Sequence, residues 1–155
     1  MADASLIISR LVARGETLAV AESLTGGLLA ATIVNVAGAS AAFQGGLIVY
    51  ATPLKATLAG VDADLLAARG PVDPDVAEQL AVGARTRCAA TWGLATTGVA
   101  GPTPQDGIAV GTVFIAVAGP GISRVEKLLL QGDRSEIREQ SVTEALALLE
   151  TQLRD

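Results

Sequence analysis

The sequence predicts an α/β domain, a three-layer α/β/α sandwich around a mixed, largely parallel sheet. Two observations lead there. Short apolar runs suited to buried strands alternate with segments of helical periodicity, and the one hairpin pattern lies near the C-terminus. A third is the composition: 50% of the 155 residues are hydrophobic, with only one Trp, one Tyr and two Phe. The core is therefore aliphatic, and the length suits a single domain spanning residues 1–155.

The elements follow in order. Residues 5–13 place Leu6, Ile7, Leu11 and Val12 at helical spacing, and Gly15 ends that helix. Residues 17–21 form an apolar strand, and residues 28–36 the next helix. Gly38 marks a turn, with Ser40 as the cap of a short helical turn through Phe43. Residues 45–50 read as a buried strand with β-branched and aromatic members. Thr52 and Pro53 then open a helix, Thr as cap and Pro at its first position, that carries Lys55 and stops at Gly60. Residues 62–69 and 73–90 are further helices, the second started by Asp73-Pro74. Residues 92–97 form a strand that runs into the turn Gly98-Val99-Ala100-Gly101-Pro102. Residues 103–107 have loop composition and are expected to close over the site. Residues 110–118 and 122–130 flank Gly119-Pro120-Gly121 as an antiparallel hairpin. Asp133 and Glu136 form a capping box for a closing helix through Leu149.

Composition excludes several classes of function. A net charge of −5 with so few aromatic rings argues against a nucleic-acid surface. A single cysteine, Cys88, rules out an internal disulfide and fits a reducing compartment. No signal peptide is evident, because Asp3 and Arg10 interrupt the N-terminus, so a cytoplasmic protein is expected. Residues 23–54 carry no charge, a span long enough to suggest a membrane helix. Gly26-Gly27, Asn35, Gly38, Ser40, Gln44 and Gly45-Gly46 divide it, so no membrane association is expected. The apolar excess for so small a domain predicts self-association into a homo-oligomer. Histidine is absent, which removes Ser-His triads and histidine metal ligands, and one cysteine removes thiolate metal sites. No metal or cofactor is expected. The only lysines are Lys55 and Lys127, so an activated serine needs Lys, Asp, Glu or Tyr as its partner.

The stretch Glu22-Ser23-Leu24-Thr25-Gly26-Gly27 joins a strand to a helix, where open α/β sheets bind ligands. Gly26 and Gly27 would let an oxyanion approach the main chain. The same residues also read as an ordinary capped turn, with Ser23 or Thr25 closing the helix. Three turns follow apolar strands: those around Ser23, from Tyr50 to Lys55, and from Thr96 to Pro102. Parallel neighbouring strands would gather them on one sheet edge, uniting a serine, a tyrosine, a lysine and two threonines. Burial brings a lysine from its ordinary ~10.4 toward ~7, where it serves as a base. Taken alone, Lys55 also reads as a surface lysine. Arg134 and Arg138 could grip a phosphate or carboxylate, although arginines on a helix surface usually do nothing so specific.

Together the motifs are recognisable. Ala21-Glu22-Ser23-x-Thr25-Gly26-Gly27-Leu28 is followed by Gly45-Gly46-x-x-x-Tyr50-x-x-x-x-Lys55 and Thr97-Gly98-Val99-Ala100-Gly101-Pro102. Val110-Gly111-Thr112-Val113 and Gly132-Asp133-Arg134 come after them. This series resembles the C-terminal domain of CinA-type competence/damage-inducible proteins, the nicotinamide-nucleotide amidohydrolases or NMN deamidases. The resemblance covers roughly residues 6–149, and the molybdopterin-binding-like domain of that family is missing, which suggests its stand-alone form. It implies a small nucleotide substrate, nicotinamide mononucleotide, whose carboxamide is hydrolysed to the acid and ammonia without a metal. It implies Ser23 as nucleophile, Lys55 as base and Tyr50 as assistant. Thr25, Gly26, Gly27, Thr97, Gly98 and Arg134 fall among the positions expected to meet substrate. Three departures stand out: Leu24 where the family usually has Cys, Ala51-Thr52 for Ser-Asn, and Ile108-Ala109 for Lys-Pro. They motivate an alternative, a catalytically silent nucleotide-binding or protein-interaction module linked to competence or DNA damage.

Overall fold

The computed structural model describes residues 2–154. Five strands form one sheet: β1 (Leu18–Glu22), β2 (Phe43–Ile48), β3 (Trp92–Gly98), β4 (Thr112–Gly119) and β5 (Ile122–Leu129), in the order β2-β1-β3-β4-β5. β1 runs parallel to both β2 and β3, while β3–β4 and β4–β5 are antiparallel. The sheet is thus evenly mixed rather than largely parallel. The connection from β3 to β4 carries no helix to cross the sheet, so β4 must return beside β3 in the opposite direction.

Helices α1 (Ala4–Arg14), α2 (Leu28–Val34) and α6 (Arg134–Gln152) cover one face of the sheet. Their Ile7, Leu11, Leu29, Ile33, Ile137 and Leu149 pack on Leu18, Val20, Leu94 and Ile115. Helices α3 (Thr52–Thr57), α4 (Ala63–Arg69) and α5 (Pro74–Arg87) lie on the other. There Val76, Ala77, Leu80 and Ala84 meet the small side chains Ala19, Ala21, Ala95 and Ala116. Alternate residues of β1 thus serve opposite cores, as a pleated strand requires. The small residues let α5 lie close: a Cβ on Gly93 would collide with the Ala81 carbonyl.

Several boundaries differ from the sequence reading. β2 is Phe43–Ile48 rather than 45–50, so Val49 and Tyr50 have left the strand, although the Val49 N–H still donates to Glu22 O at 2.9 Å. Ala51, not Thr52, is the N-cap of α3, and it has no side chain with which to cap. Gly38 rather than Ser40 precedes the 3-10 turn Ala39–Ala41. α2 stops at Val34, and α5 stops at Arg87, with Ala89 just beyond it at φ 50°. The capping box of Asp133 and Glu136 is formed as expected. Among the described residues, no helix is long and apolar enough to cross a membrane. The uncharged span 23–54 is divided among the turn, α2, the 3-10 turn, β2 and the start of α3.

The registers decide where the chemistry sits. Glu22, the last residue of β1, pairs with Ile48 of β2 and Thr96 of β3. β1 and β2 therefore end level, β3 runs two residues further to Gly98, and the chain leaving each one emerges on the same edge.

Candidate active site

Ser23, first residue beyond β1, is buried, and its N–H donates to the Thr96 carbonyl of β3 at 3.1 Å. Its hydroxyl faces Lys55, whose Nζ lies 3.1 Å from Ser23 Oγ. Lys55 comes from α3, and the short reach from the end of β2 to α3 tucks it beneath the chain. Its Nζ also donates to the carbonyl of Val49 at 2.7 Å and that of Tyr50 at 3.2 Å. Lys55 is 1% exposed, and among the described residues it has no ion-pair partner. Burial alone lowers its pKa from 10.5 to about 8. The expectation that Lys55 is shielded and within hydrogen-bonding distance of Ser23 agrees with this geometry.

Both side chains line a cavity of about 290 Å³. Tyr50, Thr97, Gly98 and Arg134 line it as well, as do Thr103, Pro104 and Gln105 of the loop that follows β3. Gln105 and Ile108 exchange backbone hydrogen bonds of 3.1 and 2.8 Å, which pin that loop into a tight turn. Lys55 and Arg134 are the charged groups of the lining, and it contains no Asp or Glu. The cavity therefore suits an anionic ligand.

Tyr50 touches the site at two points. Its carbonyl holds Lys55, whereas its hydroxyl accepts from Arg134 Nη2 at 3.3 Å and stands at the exposed rim. Arg134 Nη1 donates to the Gly101 carbonyl at 2.6 Å, so this guanidinium spans from one loop to another. Thr97 Oγ1 donates to Pro71 O at 2.7 Å. Gly98 has no room for a Cβ, which would lie 2.7 Å from the Thr112 carbonyl.

Thr25, Gly26 and Gly27 are not brought to the cavity lining. Thr25 is fully buried, its hydroxyl 2.8 Å from that of Thr96. Gly26 donates its N–H to Ser23 O at 3.1 Å, so this amide is not free for an oxyanion. The two glycines instead supply positive φ, 56° and 104°, that turns the chain into α2.

Two residues take roles that the sequence reading did not assign to them. Glu22 is fully buried, and its carboxylate accepts the N–H groups of Leu29 and Ala30 at 2.8 and 3.1 Å. The N-terminus of α2 is thereby occupied by the chain itself rather than open to a ligand. An acid closing an apolar strand, seven residues before helical N–H groups, was the available signal. Arg138, passed over as a surface arginine, donates from Nε to Leu24 O at 2.8 Å and from Nη2 to Thr25 O at 3.0 Å. Its position one turn after Arg134 was the only hint. Among the described residues, no cluster of His, Cys, Asp or Glu could hold a metal ion.

Comparisons with known proteins give this geometry its context. Residues 2–153 match the model of the CinA C-terminal domain family. A CinA-like protein of Frankia casuarinae is 52% identical over 96% of this chain, and one of Anaeromyxobacter sp. is 50% identical over 97%. Those matches cover 34% and 37% of the two relatives, so the chain spans about a third of their length. Among solved structures, a competence-damaged protein (CinA) superfamily protein from Enterobacter cloacae superposes with a TM-score of 0.93 at 30% identity, over 99% of this chain and 94% of that one. With a family model matched over nearly its whole length and relatives at half identity, the chain belongs to the CinA C-terminal domain family.

Proposed function

We propose that this domain is a serine amidohydrolase that converts nicotinamide mononucleotide to nicotinate mononucleotide and ammonia, with Ser23 as nucleophile and Lys55 as base. One observation carries the reading: a desolvated lysine amine lies 3.1 Å from a buried serine hydroxyl at the wall of a cavity with no carboxylate. Such a pair needs no histidine, because a lysine with a pKa near 8 is partly unprotonated at neutral pH. In the first step Ser23 Oγ bonds to the carboxamide carbon, and the hydroxyl proton passes to Lys55 Nζ. The C–N bond then breaks, and Lys55 returns the proton to the departing ammonia. Water attacks the resulting ester, giving its proton to Lys55, and the C–Oγ bond breaks as Ser23 is reprotonated. Arg134 is the side chain best placed to meet a phosphate, and the cationic lining favours a phosphorylated substrate.

The test is ammonia release from nicotinamide mononucleotide by the purified chain, with Ser23→Ala as the blank. Equal amounts of ammonia and nicotinate mononucleotide are expected. Binding of the nucleotide without any release would favour the silent module, for which Leu24, Ala51 and Ile108-Ala109 are the motive. Turnover of other carboxamides in its place would assign the same pair to a different small amide.

A further inference from the structure

An attacking serine needs a donor for the oxygen that becomes negative, and two of the amides around Ser23 are already engaged. The Ser23 N–H donates to Thr96 O, and the Gly26 N–H turns back onto the Ser23 carbonyl, each at 3.1 Å. The Leu24 and Thr25 amides differ. Neither N–H has an acceptor among the described residues, and of the two only Leu24, 4% exposed, lines the cavity beside Ser23. Buried amides without partners are rare and costly, so such a group points to something that binds there. A trans peptide directs its N–H and C=O to opposite sides. With the Ser23 carbonyl held inward by Gly26, the Leu24 N–H is directed out of the turn.

The two carbonyls that follow are held by one side chain. Arg138 bonds both Leu24 O and Thr25 O, and it does not line the cavity. A guanidinium is a planar fork with fixed donor directions, so its two bonds hold the Leu24–Thr25 and Thr25–Gly26 peptides, and with them the Leu24 backbone to which the unpartnered N–H is attached. No other side chain bonds to these two carbonyls among the described residues.

We propose that the Leu24 N–H is the oxyanion donor for attack by Ser23, and that Arg138 is the positioning residue that holds the turn from which it projects. The proposal rests on the serine chemistry of the preceding reading, though not on its substrate. As Oγ bonds to the carbonyl carbon, the C=O π pair moves to the oxygen, which accepts from Leu24 N–H. The pair returns when the amine leaves. Because the donor is main chain, leucine supplies it as well as the cysteine usual at this position. α6 thereby serves the site twice, presenting Arg134 to the cavity and Arg138 to the turn that carries the nucleophile.

The experiment compares the wild-type chain with Arg138→Met and Arg138→Lys by two readouts. One is ammonia release from nicotinamide mononucleotide. The other is the rate at which a fluorophosphonate labels Ser23, a step in which Oγ bonds to phosphorus, fluoride leaves and the proton passes to Lys55. Losing one oxyanion donor costs about 10²–10³ in kcat, and misaiming one costs less. Arg138→Met should therefore lower kcat by roughly 10–100-fold, leave KM within about threefold, and slow labelling by a similar factor. Arg138→Lys should recover part of both rates. Wild-type rates of labelling and turnover in folded Arg138→Met would overturn the proposal, as would a loss confined to KM. If the wild type is labelled at Ser23 but releases no ammonia, the substrate reading falls, and the labelling ratio alone decides the proposal. If the wild type is not labelled, the proposal falls with the serine chemistry. Should Arg138→Met not fold, Arg138→Lys decides by the same two rates.

Discussion

The hydroxyl of Tyr50 lies 3.3 Å from Arg134 Nη2, across the mouth of the cavity that holds Ser23 and Lys55. Tyr50 thereby acts on Lys55 through its carbonyl and on Arg134 through its ring oxygen. Removing that oxygen leaves the lysine's bonds in place but frees the guanidinium. Tyr50→Phe should leave kcat within about threefold of wild type and raise KM several-fold, whereas Arg134→Met should raise KM by tenfold or more. Steady-state ammonia release over a range of nucleotide concentrations checks both. A collapse of kcat in Tyr50→Phe would mean that the hydroxyl takes part in proton transfer.

In the proposed mechanism Ser23 and Lys55 act as one unit, so their losses should not add. Ser23→Ala and Lys55→Met are each expected to reduce turnover by roughly 10³-fold or more, and the double variant to be hardly worse than either. Single-turnover rates of the three variants decide this. A Lys55→Met variant retaining most of its activity would exclude the lysine as base.

Lys55 also sets a pH dependence of two kinds. As the proposed base its amine works only when unprotonated, so kcat/KM should rise with pH through an apparent pKa near 8. Stability follows the same group. Unfolded, Lys55 regains its ordinary value of 10.5, so between about 8 and 10.5 the unfolded chain binds more protons than the folded one. Folding stability from this residue therefore rises as pH increases across that window, and the full cost of a buried charge persists below it. Urea unfolding at pH 7.5 and pH 10 should show that increment in the wild type and not in Lys55→Met.

Glu22 carries a structural load next to Ser23. Its carboxylate satisfies two amides at the start of α2 from a fully buried position. Glu22→Ala leaves both unpaired and should cost on the order of 3 kcal/mol, while Glu22→Gln keeps an acceptor and should cost about 1 kcal/mol. Midpoints of denaturant unfolding give the comparison. Equal stability of Glu22→Ala and wild type would show that water replaces the carboxylate.

The amino-acid sequence alone determined the elements and their order, because periodicity, caps and breakers are local properties. The strand before Ser23, the Asp133–Glu136 capping box and the hairpin after the Gly98 turn all stand where the pattern placed them, to within a few residues. It also limited the chemistry, since a chain without histidine and with two lysines leaves few bases for a serine. What only the tertiary structure decided is which groups meet. The level ends of the parallel neighbours β1 and β2 bring Ser23 and Lys55 together across 32 positions of chain. Contacts made by main-chain atoms left no mark in the residue pattern: the carbonyls of Val49 and Tyr50 on Lys55, and those of Leu24 and Thr25 on Arg138. Every residue has a carbonyl, and only packing decides which are turned inward. For the same reason Thr25, Gly26 and Gly27 read as ligand contacts in the sequence, yet in the fold they shape the turn. The anion-seeking end of α2, which the sequence left open, is closed by Glu22 because a buried helix start needs acceptors for its N–H groups and this carboxylate is adjacent to them.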